Sequence, residues 1–158
     1  MNQRIGFGYD AHRFGGAGPV VLAGVSIDHH RGIEATSDGD LVAHAVCDAI
    51  LGAAAIGDIG MHFPSSDPQW HDVASLDLVS RCVAMAYDRG FELANADVTV
   101  VAQEVRIDPH RDAMRTRLAE ALRVSLGQVS IKATTTDRLG WIGAGDGLAA
   151  MAVVSMQR

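Results

Sequence analysis

Hydrophobic and polar positions alternate from residue 4 to residue 14, through the stretch "GFGYDAHRF". On a strand, Ile5, Phe7 and Tyr9 then share one side, and Gly6, Gly8, Asp10 and His12 share the other. "GGAGP" at 15–19 is a turn, and "VVLAGVSI" at 20–27 predicts a second strand. Residues 40–56, rich in Ala and Leu, predict a helix capped by Ser37 or Asp38. The polar stretch 57–70, with two prolines, predicts a loop. Apolar residues at 76, 79, 83 and 86 predict a helix over 75–90, stopped by Gly90. A β-branched strand follows at 96–103, and Asp108-Pro109 opens a third helix that runs to Leu122. The last strands fall at 129–135 and 148–156, where weak alternation predicts burial on both faces. Strands and helices mix without a strict βαβ rhythm. The expected class is α+β, a mixed sheet with helices packed on one face.

Composition narrows the function. The 158 residues, 48% of them hydrophobic, form one domain (1–158) with a real core, which excludes disorder. A net charge of −6 without a Lys/Arg block argues against nucleic acid as a partner. The N-terminal stretch lacks the apolar core of a signal peptide, and no apolar run is long enough to cross a membrane. Cys47 and Cys82 stand apart in helical segments and read as buried, reduced thiols of a cytoplasmic protein.

Three stretches carry candidate chemistry. Asp10 and His12 reach one point from one face of a strand, either as metal ligands or as a simple ion pair. Asp40, His44 and Asp48 are spaced i, i+4, i+8, a polar stripe on an otherwise apolar helix. That stripe is either a solvated face or a histidine ligand oriented by carboxylates. Two histidines and one aspartate from these stretches would make a three-ligand zinc site with an open fourth position, which suits catalysis. The remaining histidines (His29, His30, His62, His71, His110) lie in loops or near a helix start and read as surface residues. In "KATTTDRLG" at 132–140, threonine hydroxyls and Asp137 suit a phosphate and a hard divalent cation, or a strand end that turns. "GWIGAGDG" at 140–147 is glycine-rich but matches no phosphate-binding fingerprint.

Taken together, "RIGFGYDAHRF", "SDGDLVAHAVCDAILGAAAIGDIGMHFPSSD", "DVTVVAQ", "KATTTDRLGWIG" and "GDG" resemble the 2-C-methyl-D-erythritol 2,4-cyclodiphosphate synthase family of the non-mevalonate isoprenoid pathway. The resemblance runs in order along essentially the whole chain. It implies a lyase that closes a cyclodiphosphate by attack of one substrate phosphate on another, with release of CMP. It implies one zinc, held by Asp10, His12 and His44, and a second cation, Mg or Mn, carried by Asp137. It places the erythritol part of the substrate near Asp58, Ile59, Gly60, Phe63, Pro64, Ser65, Ser66 and Asp67. The cytidine falls near Ala102, Gln103, Glu104, Val105, Arg106, Ile107 and Asp108, together with Thr134 and Thr135. Thr36 and Thr135 take the catalytic helper positions; Ser37, Thr136, Trp141 and Ala144 complete the expected substrate contacts. The resemblance also implies a homotrimer with its active sites at the subunit interfaces.

The chain departs from the family pattern at several of these positions. Thr36 stands where the family usually has a histidine that helps stabilise the transition state. Val105-Arg106 replaces a usual Pro-Lys, which keeps a positive charge but loses loop stiffness. Ala144 replaces an arginine that faces a tunnel on the trimer axis, and Asp146 replaces a glutamate. Two rival readings follow from the same residues: a metal-dependent phosphodiesterase that uses water, and a catalytically silent zinc-binding or assembly protein.

Overall fold

The computed structural model describes residues 2–158. Strand β1 (Gln3–Ala17) leads into the short strands β2 (Val20–Leu22), β3 (Val25–Ile27) and β4 (Arg31–Ile33). Helix α1 (Leu41–Ala54), the single-turn helix α2 (Ile59–His62) and helix α3 (Ser75–Asp88) come next. The chain continues through β5 (Glu92–Val101), α4 (Arg111–Leu122), β6 (Val129–Thr134), α5 (Gly140–Gly143) and β7 (Gly147–Gln157). The main sheet has the order β4-β1-β7-β5-β6. Only β5 and β6 run parallel; the other neighbours are antiparallel, so the sheet is mixed as expected.

Glycines at alternate positions of β1 set how the helices dock. A Cβ at Gly6 would lie 1.8 Å from the carbonyl oxygen of Ala49, and one at Gly8 would lie 1.9 Å from that of Ala45. The backbone of α1 therefore rests directly on β1, which only glycine permits. Helix α1 also lies on β7, α3 packs against α1, and α4 packs against α3 and β6. Sandwiched in this way, α1 is buried nearly all round rather than amphipathic. The buried residues of α1, Leu78, Val79 and Cys82 of α3, Met114 and Leu118 of α4, and Val98, Val100, Ala152 and Val154 of the sheet form one continuous core. Both cysteines are free and buried. They are not isolated from one another: the neighbouring Cys82 side chain, together with burial, pushes the Cys47 thiol well up.

Among the described residues, the opposite face of the sheet carries only the single-turn helix α5, whose Ile142 packs on Val101 and Ala149 at one end. Ile5, Phe7, Tyr9 and Val153 are exposed there at 71%, 61%, 50% and 41%. Phe7 lies opposite Val153 and Tyr9 opposite Met151, so these side chains form one apolar stripe across β1 and β7. The expected double burial of the last two strands therefore holds only for Gly147 to Ala150 of the final one; Val129–Thr134 alternates buried and exposed positions before becoming exposed.

Several expected boundaries move, each for a local reason. The expected strand 20–27 is a hairpin: Ala23 (φ 48°) and Gly24 (φ 70°) turn left-handed between β2 and β3, a primed two-residue turn that matches strand twist. The cap of α1 is Asp40, not Ser37 or Asp38, and it is fully buried. Its carboxylate accepts the backbone N–H groups of Ala23 (2.9 Å), Gly24 (2.7 Å) and Ala43 (3.0 Å), so one side chain ties the hairpin turn to the helix start. Burial pushes this carboxyl up to about 6, against the pull of those three donors. The expected loop 57–70 contains α2 and a 3-10 turn (Pro68–Trp70), capped by Asp58 and Asp67 respectively. Asp108-Pro109 opens a further 3-10 turn (Asp108–His110) before α4 begins.

Candidate metal and nucleotide site

β1 and α1 bring Asp10, His12 and His44 together. Asp10 Oδ2 lies 3.0 Å from His12 Nε2 and 3.0 Å from His44 Nδ1. The three ligand atoms all lie within 4.8 Å of one another. All three residues are half-buried, so the site opens to solvent on one side. The second Asp10 oxygen accepts the N–H of Ala11 (2.9 Å), which fixes the carboxylate.

The hydrogen bonds assign the protons. Ser75 Oγ donates to Asp38 Oδ1, and the Ser75 N–H donates to Asp38 Oδ2 (2.8 Å). A serine has one hydroxyl proton and a carboxylate only accepts. Ser75 Oγ must therefore accept at its other contact, from His44 Nε2 at 3.0 Å. That leaves His44 Nδ1 as a lone pair aimed at Asp10. Two acceptors 3.0 Å apart call for a cation between them. At His12, the Glu34 backbone bonds the ring, while the buried Nε2 finds no aligned hydrogen-bond partner. One orphaned imidazole nitrogen, one bare imidazole nitrogen and one carboxylate oxygen thus converge, which fits a divalent metal with a vacant coordination position.

Without a metal, the cluster holds itself by charge. Burial raises the Asp10 carboxyl, but the neighbouring His12 and His44 side chains more than offset this and hold it at about 2. The Asp10 carboxylate, 3.0 Å from Nε2, raises His12 against burial. Asp10, depressed on folding, stabilises the fold above its ordinary value of 3.8, and this is lost as pH falls toward 2. His12, raised on folding, stabilises below its ordinary value of 6.5, and this is lost as pH rises through its higher folded value. The pair contributes most between those two ordinary values.

The polar stripe of α1 divides three ways. His44 joins the metal cluster. Asp40 is the buried cap and does not approach it. Asp48 accepts the N–H of Ile59 (2.8 Å) and so seats α2 beside the site. The partner that orients His44 is Ser75, at the start of α3, which sequence spacing did not reveal.

Two cavities hold most of the expected substrate residues, and only the first includes a residue of the cluster. One, of about 210 Å³, is lined by Thr36, Ser37, His44, Ile59, Gly60, Phe63 and Ser65, and also by Trp70, His71, Val73 and Leu78. It joins the expected erythritol-side residues to the metal histidine. Trp70 and His71 were not expected there; the edge-to-face contact of Phe63 on Trp70 (4.9 Å) carries them in. Asp58 is exposed and serves as the cap of α2, while Pro64, Ser66 and Asp67 are not among the lining residues. The second cavity, of about 400 Å³, is lined by Ala102 through Asp108 with Ala133, Thr134 and Thr135. This is the full stretch expected at the cytidine. Asp137 sits beside it, in the left-handed region (φ 51°), with its N–H donating to Thr135 Oγ1 (3.2 Å). Thr136 is held elsewhere, its hydroxyl donating to the carbonyl of Leu139 (2.8 Å). Trp141 and Ala144 stand exposed at α5. The two cavities share no lining residue.

The YgbB family pattern matches residues 3–157. The chain belongs to the YgbB family. A relative from Xanthomonas axonopodis pv. citri (strain 306), 2-C-methyl-D-erythritol 2,4-cyclodiphosphate synthase, is 48% identical over 158 residues, covering 100% of this chain and 95% of its own. The enzyme of the same name from Shewanella sp. (strain W3-18-1) is 49% identical, covering 100% of this chain and 98% of its own. Among solved structures, a 2C-methyl-D-erythritol-2,4-cyclodiphosphate synthase in a CDP-bound form superimposes with a TM-score of 0.90 at 32% identity, over 98% of this chain and 100% of that one. A CDP complex from Plasmodium falciparum superimposes with a TM-score of 0.85 at 29% identity, over 98% of this chain and 95% of that one. No helix among the described residues of this YgbB chain is long and apolar enough to cross a membrane.

Proposed function

We propose that this chain converts 4-diphosphocytidyl-2-C-methyl-D-erythritol 2-phosphate to 2-C-methyl-D-erythritol 2,4-cyclodiphosphate and CMP, a phosphorus–oxygen lyase reaction of isoprenoid precursor synthesis in the cytoplasm. The observation that carries this reading is the bare nitrogens of His12 and His44 converging with Asp10 beside a cavity lined by Ile59, Gly60, Phe63 and Ser65 of the expected erythritol residues. An oxygen of the 2-phosphate attacks the β-phosphorus, the bond from that phosphorus to the oxygen bridging it to the α-phosphorus breaks, and CMP leaves with that oxygen. The nucleophile belongs to the substrate, so positioning matters more than activation. No serine, cysteine or lysine nucleophile is required.

Asp10, His12 and His44 would hold zinc, and Asp137 would hold Mg or Mn on the diphosphate. Bound there, such cations screen two opposed anions and stabilise charge on the transferred phosphoryl group. The chain supplies the rest. Asp38 and Ser75 fix the His44 tautomer, Asp48 seats α2 against the erythritol side, and the 102–108 loop receives the cytidine. Thr36, in the first cavity, and Thr135, in the second, offer hydroxyl donors to the phosphates. The separateness of the two cavities and the bare apolar stripe of the sheet support a homotrimer. In it, the stripe is covered and one subunit's metal cluster faces another's nucleotide pocket.

The test is to incubate the protein with a divalent metal and the substrate, and to follow CMP and the cyclic product by mass spectrometry. Both products are expected in equal amounts. CMP released from cytidine diphosphate esters that lack the 2-phosphate would favour a water-using phosphodiesterase. A metal-loaded oligomer that makes no CMP would favour a silent binding protein.

Asp137→Ala is expected to leave zinc content unchanged while cutting the magnesium-dependent rate by roughly ten- to a hundredfold, because small hard cations depend on oxygen ligands. Loss of zinc in that variant, by elemental analysis, would overturn the division between the two cations. Thr36→His is expected to raise turnover by about a hundredfold, the low end for one donor aimed at developing charge. Unchanged or slower turnover at saturating substrate would contradict that role.

A further inference from the structure

We propose that His29, His30 and Glu104 form a second divalent transition-metal site, separate from the Asp10 cluster, that clamps the 102–108 loop to the β3–β4 segment. Sequence placed both histidines on the surface, yet the His29 side chain is only 9% exposed. Its ring stacks on Phe14 (centroids 5.0 Å apart, 28° between planes), and the His30 ring lies 4.5 Å from it. His29 Nδ1 lies 2.8 Å from the carbonyl of Arg31 and 3.3 Å from its N–H; a carbonyl only accepts, so the shorter contact is a donation from Nδ1. This bond leaves Nε2 with its lone pair free, the usual arrangement of a ligating imidazole. That Nε2 faces Glu104 Oε2 at 3.5 Å. Ligands about 2.0–2.1 Å from a tetrahedral zinc stand about 3.4 Å from each other, so this pair already spans one edge of such a site. The nearest ligand atoms of His29, His30 and Glu104 lie within 4.8 Å of one another.

The carboxylate is held before any metal arrives. Arg31 Nη2 donates to Glu104 Oε2 at 2.6 Å, and this contact holds the Glu104 carboxyl below the usual range, so it is ionised. A ligating carboxylate commonly keeps such an outer hydrogen bond. Arg31 is itself fixed by its guanidinium, 4.6 Å over the Phe14 ring. Behind the carboxylate, a Cβ at Gly145 would come within 2.6 Å of Glu104 Oε1, so glycine leaves it room. Two imidazoles and a carboxylate with an exposed side suit Zn²⁺ or Ni²⁺ rather than Mg²⁺. The positive charge of Arg31 beside the ligands makes the site weaker than the Asp10 cluster. Glu104 is drawn from the nucleotide loop, 73 residues beyond Arg31 in sequence, so occupancy ties that loop down without any substrate.

The experiment uses metal-stripped full-length protein dialysed against Ni²⁺, with bound metal counted by elemental analysis. Two ions per chain are expected for the wild type. His30→Ala and Glu104→Gln should each hold one, as should His44→Ala, and the double variant His30→Ala/His44→Ala should hold none. Glu104→Gln keeps the packing, so a lower count there does not reflect misfolding. Saturation of the wild type at one ion, or two ions retained by either His30→Ala or Glu104→Gln, overturns the proposal.

Discussion

His44→Ala is expected to lose nearly all metal from the Asp10 cluster and to lower turnover by roughly a hundred- to a thousandfold. His44 is the single ligand contributed by α1, and its removal leaves two groups, Asp10 and His12, that come from one strand. A catalytic metal supplies several kcal/mol of transition-state stabilisation, and each 1.36 kcal/mol is a factor of ten in rate. The fold should survive, because alanine is the best helix former and the buried residues of α1 are untouched. Elemental analysis with circular dichroism checks both halves. A folded variant that keeps full metal at this cluster would sink the assignment of His44 as a ligand.

Asp40→Ala is expected to be the most destabilising single change at the edge of the site, by about 3–5 kcal/mol. Loss of a helix cap costs about 0.5–2 kcal/mol. The N–H groups of Ala23 and Gly24 would also lose their acceptor, at about 1–3 kcal/mol for each buried donor. Asp40→Asn has the same shape but turns an amide N–H₂ toward one of three donors, so an intermediate loss is expected. Chemical denaturation of metal-free protein measures both. A loss below about 1 kcal/mol for Asp40→Ala would mean that water replaces the carboxylate, and that the turn between β2 and β3 does not depend on it.

Local pattern revealed the fold and site where the informative residues are close in sequence. Alternation in β1 placed Asp10 and His12 on one face, with Gly6 and Gly8 beside them, and helix spacing put His44 in an apolar segment. The metal triad needed only two such elements to meet. What stayed hidden was long-range. Ser75 orients His44 from 31 residues away, and a serine at a helix start looks like any other. The Ala23-Gly24 turn sits inside an unbroken apolar run and lacks the Asn-Gly or Asp-Gly pair that usually marks such turns. Asp40 read as part of a polar stripe because two of its three acceptor bonds reach back to a turn 16 and 17 residues earlier. His29 and His30 stood adjacent in plain view, but their carboxylate partner lies on a loop more than 70 residues onward.

The position of β7 has a consequence for how the chain reaches this fold. β7 lies in the middle of the sheet, between β1 and β5, although it is the last strand in chain order. Gln3 pairs with Gln157 and Arg13 with Gly147, so this part of β1 waits for its partner strand until almost the whole chain is available. Until then α1 has only half its platform, and the metal histidines have no fixed register. Closing loops of this length is entropically costly, and folding of such topologies is slow. The sheet centre, and with it the Asp10 cluster, is therefore expected to form in the final folding step. Pulsed hydrogen exchange should show β1 and β7 amides gaining protection together; β1 protected well before β7 would show that another route holds the strand.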